Sequence, residues 1–147
     1  MASYAQEDVS RATLRGIKSI HVAIESTDTS QFTENLQVQT ELALRKVGID
    51  VAPEPGAGIP ILLISLSGPK APEMNSDQVW VLQLHLAQAA LLKRNSQLVM
   101  AFTWSRTAAE PGEHAAIRGR LSNMLDRFLN DFLAVNPITS RGAHPIR

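Results

Sequence analysis

From Val79 to Leu86 the chain reads VWVLQLHL, and every second residue is large and apolar. Trp80, Leu82, Leu84 and Leu86 form one set, and Val79, Val81, Gln83, His85 and Ala87 the other. Successive side chains of a strand point to opposite faces, so a strand here has one wholly apolar face and one mixed face. Coiled as a helix, the same stretch would spread Gln83, His85 and Gln88 over a wide arc and leave no clean apolar stripe. The spacing therefore predicts a strand over 79–88. Ala89 to Leu92 have weaker strand preference and are read as its far end. After the polar turn KRNSQ the period returns, with Leu98, Met100, Phe102 and Trp104 alternating with Val99, Ala101 and Thr103. The two runs make a long hairpin whose greasy face must be covered.

The cover is legible elsewhere in the chain. Leu36, Thr40, Ala43 and Val47 fall on one face of a helix predicted over 33–47, with Leu44 flanking it. Ser30 and Thr33 are candidate N-caps. Arg45 and Lys46 sit in the last turn, where cations suit the helix dipole, and Gly48 follows as the expected C′ residue. A second helix is predicted from the region of His114 to Asn136-Pro137, since Ile117, Leu121, Leu125, Phe128 and Phe132 recur at spacings of three and four. Gly119 lies inside it, and a helix tolerates that residue best where another segment packs closely.

Two more strands complete the set. Ile20, Val22 and Ile24 alternate with His21, Ala23 and Glu25, and IPILLISLS at 59–67 carries Leu62, Ile64 and Leu66 on one face and Ile61, Leu63 and Ser65 on the other. A short strand at 49–51 is conceivable in the Pro/Gly-rich connection between helix and strand. The expected fold class is α+β: a two-layer α/β sandwich in β-α-β-β-β-α order, with a mixed four-stranded sheet and two helices on one face. It occupies residues 14–137, between a polar tail at 1–13 and an irregular tail at 138–147.

Charge and composition narrow the function classes. Lys plus Arg and Asp plus Glu are each 14, so the formal net charge is zero. That balance gives no global footprint for nucleic acid or for an acidic membrane. With no cysteine, disulfides, thiolate zinc sites and cysteine nucleophiles are excluded. No apolar run is long enough for a transmembrane helix. The N-terminus MASYAQEDVSRAT lacks an apolar signal core, so the chain is expected to be cytoplasmic, or the processed form of an exported protein.

No nucleotide-binding, zinc-protease, nucleophile-elbow or calcium-loop motif is present. GAG at 56–58 does not open a helix and reads as a connection rather than a phosphate loop. Trp80 and Trp104 share the greasy face and are expected in the core. Glu113, Asp126 and Asp131 read as the solvated face of the last helix, with Asp131 free for a local hydrogen bond near Asn136. His114 and His144 read as surface residues. His21 and His85 lie on strands opposite the greasiest residues, with Glu25 on the same side. If their strands adjoin, these three become a candidate metal or acid–base site. The bland reading is a set of polar residues on the outside of a half-covered sheet.

The segments LRGIKSIHVAIES, ELALRKVGIDV, AFTWS and LDRFLNDFLAVNP resemble, in this order, a set of small uncharacterised bacterial proteins usually made with signal peptides. The likeness covers most of residues 14–137. The element order is similar to that of the TolB N-terminal domain and of small envelope lipoproteins. The resemblance implies a periplasmic or cell-envelope setting and supplies no catalytic residues.

One feature remains. Ile61, Leu63, Val79, Val81, Val99 and Ala101, with Ala23, would all point away from the helices, and a freely solvated sheet face is normally more polar. The expectation is a non-enzymatic binding, accessory or structural module without a cofactor. It would dock through this second face on a protein partner, on a second protomer or within a membrane-associated assembly, unless the chain's own tails cover it. The alternative is a small hydrolase or metal-dependent enzyme using His21, His85 and Glu25.

Overall fold

The computed structural model describes residues 9–27, 31–68 and 79–137. A helical turn at 9–12 leads to strand β1 (Ser19–Ser26), helix α1 (Gln31–Lys46), and strands β2 (Asp50–Val51) and β3 (Ile61–Ser67). The long strands β4 (Val79–Leu92) and β5 (Gln97–Pro111) and helix α2 (His114–Val135) follow. The five strands form one mixed sheet in the order β2-β1-β3-β4-β5. β1 runs parallel to β2 and β3, while β3, β4 and β5 are mutually antiparallel.

Both helices cover one face. The buried strand residues Ile20, Val22, Leu62, Ile64, Leu66, Trp80, Leu82, Leu84, Leu86 and Trp104 meet Leu36 and Leu44 of α1 and Ile117, Leu121, Phe128 and Phe132 of α2. The expected two-layer arrangement of a mixed sheet and helices is therefore present, with one strand more than expected and a different element order. Asp50–Val51 is too short to announce itself by periodicity. It is held by the backbone, through Asp50 N–H to Lys18 O at 3.0 Å and Ala52 N–H to Ile20 O at 2.9 Å.

Helix α1 starts two residues earlier than its apolar spacing indicates and buries Phe32, Leu36, Thr40 and Leu44. Thr33 is thus inside the helix and does not cap it, and Ser30 lies outside the described residues. Gly48 closes the helix at φ +83°, a conformation that costs glycine nothing. The Thr40 hydroxyl is satisfied by donating to Leu36 O at 2.9 Å.

The largest departure is in β5. The apolar alternation ends at Trp104, yet the strand continues to Pro111, because residues 79–84 of β4 find their ladder partners there. The proline terminates an edge, where its missing N–H costs no ladder bond. Leu86 pairs with Trp104 but Ala87 pairs with Phe102, so Thr103 is an extra residue in β5. Such a bulge reverses every side chain beyond it. Trp104 stays in the core, while Leu98, Met100 and Phe102 turn to the outer face. Val99 and Ala101, expected outside, lie instead on the helix-side face, opposite Ala90 and Gln88.

The segment at 9–13, expected as tail, packs on the helix side. Arg11 Nε reaches Asp131 Oδ1 at 3.2 Å, and Thr13 O accepts from Gln88 Nε2 at 3.1 Å. Leu14 is fully buried. Asp131, expected on a solvated face, is buried, and its Oδ2 accepts from Trp104 Nε1 at 3.0 Å. Asn136 clamps the two ends of the domain. It donates to Leu14 O at 2.9 Å and accepts from Gly16 N at 2.8 Å.

His114 is half-buried, stacked on Phe32 at 3.8 Å between ring centroids and edge-on to Trp80 at 6.1 Å, which corrects its reading as a surface residue. His144 lies outside the described residues.

Candidate interaction surface

The sheet's outer face is assembled row by row from the strand registers. His21, Ile61, Ala87 and Phe102 make one row, and Ala23, Leu63, His85 and Ser105 the next. Glu25, Ser65, Gln83 and Thr107 form a polar row beyond these. Past β3 the hairpin continues alone, adding Ala89 opposite Met100 and Leu91 opposite Leu98. At the other end Val81 faces Ala109 and Val79 faces Pro111.

The polar row divides the face in two. On one side Val79 and Val81 form a small exposed pair. On the other, Phe102, Met100, Leu98 and Leu91 are 59%, 61%, 71% and 62% exposed, continuous with the half-buried Ile61 and Leu63. Four large side chains exposed this far leave on the order of 400 Å² of apolar surface, taking roughly 150–250 Å² for a large aromatic. The helical turn at 9–12 lies on the opposite face, so it does not cover this patch.

The proposed contact residues Ile61, Leu63, Val79 and Val81 do lie on the outer face. Val99 and Ala101 do not, for the bulge separates them. Leu91, Leu98, Met100 and Phe102 replace them as its most exposed apolar residues. Sequence reading missed these because both alternating sets of residues 98–103 are apolar enough to be the inner one. The available signal was Gln88, which breaks the otherwise apolar set Trp80, Leu82, Leu84, Leu86. It marks where the sheet's inner face leaves the shelter of the helices.

Charge is distributed as sharply as hydrophobicity. Between Val79 and Ala109 there is no Asp or Glu, and Lys93, Arg94 and Arg106 are the only Lys or Arg residues. Lys93 and Arg94 sit in the hairpin turn, which Ser96 completes at φ +57° with its N–H donating to Leu92 O at 2.8 Å. Arg106 folds back over the Trp104 ring at 4.9 Å. The apolar patch itself carries no formal charge at neutral pH.

The candidate triad is not brought together. β3 lies between β1 and β4, so His21 and His85 are separated by two strand spacings, about 10 Å, before their offset along the strands is added. His21 Nδ1 donates to Ala52 O at 2.8 Å. His85 Nδ1 shares a hydrogen bond with Ser105 Oγ at 2.8 Å, and its ring stacks on Phe102 at 4.5 Å. Glu25 lies four residues from His21 along β1, and four residues of strand span about 13 Å. Among the described residues no group of three His, Asp or Glu side chains is placed to hold a metal ion. No helix is long and apolar enough to cross a membrane among the same residues.

No protein-family profile matches the chain, and no curated protein matches it in sequence. Among solved structures it is similar to the PelC dodecamer from Paraburkholderia phytofirmans, at 19% identity over 80% of this chain and 88% of that one, with a TM-score of 0.46. It is similar to a lipoprotein from Neisseria meningitidis at 15% identity, over 79% of this chain and 98% of that one, with a TM-score of 0.36. A minor lipoprotein from Acinetobacter baumannii aligns at 10% identity over 86% and 91% of the two chains, with a TM-score of 0.29.

Proposed function

We propose that this chain is a non-enzymatic assembly module that docks through the outer face of its sheet, and that the occupant of that face is a second copy of the chain. The observation that carries this reading is the patch formed by Leu91, Leu98, Met100 and Phe102 on an edge hairpin that extends beyond its neighbouring strand. A patch of this size is comparable to the largest on a typical monomer, roughly 300–600 Å². It supplies about half of the ~800 Å² per partner that a standard interface needs, before the half-buried Ile61 and Leu63 and the polar rim are added.

Self-association is favoured over a foreign partner by charge. A two-fold contact sets a surface near its own copy, so a charged patch repels itself. This one carries no formal charge, and Lys93 and Arg94 stand at its end. The motif resemblance of residues 14–137 to exported bacterial proteins favours an envelope setting. In this reading His85 belongs to the contact surface as the stacking partner of Phe102, and not to a catalytic group.

Analytical ultracentrifugation of the full chain across a wide concentration range tests the proposal. The parent chain should sediment as a dimer or a larger species. Met100→Glu and Phe102→Glu should sediment as monomers with unchanged far-UV circular dichroism. A parent chain that stays monomeric at the highest concentration sinks self-association, and monomers that float with lipid vesicles would transfer the face to a membrane.

A further inference from the structure

The structure assigns a second, independent site: a phosphate-binding recess at the end of the sheet where β1 and β3 begin. The recess is open to solvent, has a volume of about 380 Å³ and is lined by Arg15, Lys18, Gly58, Pro60 and Gln88 among others. That is within the usual size range of small-ligand sites, roughly 300–1,000 Å³. It is distinct from the apolar patch.

Its electrostatics come from two cations placed together. Arg11, Arg45, Arg106 and Arg120 each reach a carboxylate within 4 Å. Arg15 and Lys18 reach none among the described residues, as is true also of Lys46, Lys93, Arg94 and Arg118, but Arg15 and Lys18 line one recess together. Asp50 is the acid closest by register, pairing with Ser19, and it makes no ion pair with either cation. The backbone N–H groups of Lys18 and Gly58 also lack an acceptor among the described residues. The residues that line this concavity therefore carry two exposed cations and two exposed amide donors, a donor set that a multi-acceptor anion can take.

The frame around these donors is fixed. Gly16 and Gly58 line the recess at φ +80° and +76°, backbone conformations that other residues adopt at a cost. Gly16 N is anchored by Asn136 Oδ1 at 2.8 Å. Lys18 O accepts from Asp50 N at 3.0 Å, and Pro60 O accepts from His21 N at 2.9 Å. A phosphate at this position would meet a preformed cradle. The remaining volume, floored by Ile17 and Pro60, leaves room for a small organic body, so the ligand class is a phosphate ester. Its source is either a soluble ester or the headgroup of an anionic phospholipid.

The test is a ¹H–¹⁵N titration of the full chain with inorganic phosphate and then glycerol 3-phosphate, against sodium chloride at matched ionic strength. Saturable shifts should concentrate at Lys18, Ser19 and Gly58. Arg15→Gln combined with Lys18→Gln should weaken binding by at least about ten-fold, since one lost charge-assisted hydrogen bond alone approaches that factor. Lys93→Gln combined with Arg94→Gln should leave it unchanged. Cosedimentation with phosphatidylglycerol vesicles that the Arg15/Lys18 variant loses identifies a headgroup, and phosphate-ester binding without cosedimentation identifies a soluble ligand. Shifts that do not saturate, that are equal at Lys93 and Arg94, or that persist in the Arg15/Lys18 variant overturn the site.

Discussion

Asp131 is a carboxylate held among apolar side chains, and its partners explain why it is tolerated there. Its two oxygens take Trp104 Nε1–H and the Arg11 guanidinium, with Arg106 at 3.8 Å. One side chain thus joins the helical turn at 9–12, β5 and α2. Replacing Asp131 with Ala should cost about 2–3 kcal/mol, because it leaves the buried indole N–H and an arginine without an acceptor. The cost falls at or below the lower end of the range for broken buried pairs, since the Arg11 side chain is 37% exposed and already partly solvated. Urea unfolding of the variant measures it, and a loss under 0.5 kcal/mol would mean the cluster is incidental. Gly119 is the opposite case. A Cβ placed there meets nothing within 4 Å, so the close packing expected from the sequence is absent. Gly119→Ala should stabilise the chain by about 0.5–1 kcal/mol, through helix propensity and a less flexible unfolded state. A fall in melting temperature would show that the helix needs its glycine. Gly68 makes the contrast clear, because a Cβ there would overlap the Trp80 ring.

At the scale of elements, Thr103 is the extra residue at which the alternation of β5 changes phase. Its hydroxyl accepts from Gln88 Nε2 at 2.6 Å, and its carbonyl accepts from Thr13 Oγ1 at 3.4 Å, so the extra residue is tied down on the helix side. Deleting Thr103 should remove the bulge, so that Phe102 directly precedes Trp104 and Leu98, Met100 and Phe102 stay on the outer face. His85 should then keep its stacked ring, and its ring-proton resonances should stay where they are in the parent chain. Resonances that move downfield toward solvent values would mean that the ladder shifts register instead and carries Phe102 to the helix side. The bulge also shows where sequence reading reached its limit. Period-two patterning identified β1, β3 and β4 and the inner set Trp80, Leu82, Leu84, Leu86, because burial against helices imposes it. Helical spacing found α1 and α2 for the same reason. Nothing apolar alternates over 105–111, so the second half of β5 was not legible: its ladder is a backbone matter. Two residues of β2 are too few to have a period. The outer-face site was half legible, with Ile61, Leu63, Val79 and Val81 on the correct side. A slip of one residue, invisible where both faces are apolar, moved the rest.

The molecule as a whole has one sheet face sealed by helices and one face that is polar across its middle row and apolar toward the hairpin. If a second copy occupies the apolar end, folding and association are linked. A partner that binds only the folded chain stabilises it by mass action, so the melting temperature should rise with protein concentration. Met100→Glu separates this effect from ordinary stability. Met100 is 61% exposed, and a substitution at an exposed site away from special contacts usually changes monomer stability by less than about 0.5 kcal/mol. In an assembled chain the same carboxylate would be buried beside apolar side chains without a partner, which costs several times more. The parent should therefore melt at a temperature that climbs with each ten-fold increase in concentration. The variant should melt at one temperature throughout, meeting the parent's curve at its dilute end. Scanning calorimetry over a hundred-fold concentration range reads this directly. Parallel behaviour of the two chains would mean that the hairpin patch meets no second copy. A variant that melts well below the dilute parent would mean that Met100 serves the fold of the single chain rather than its assembly.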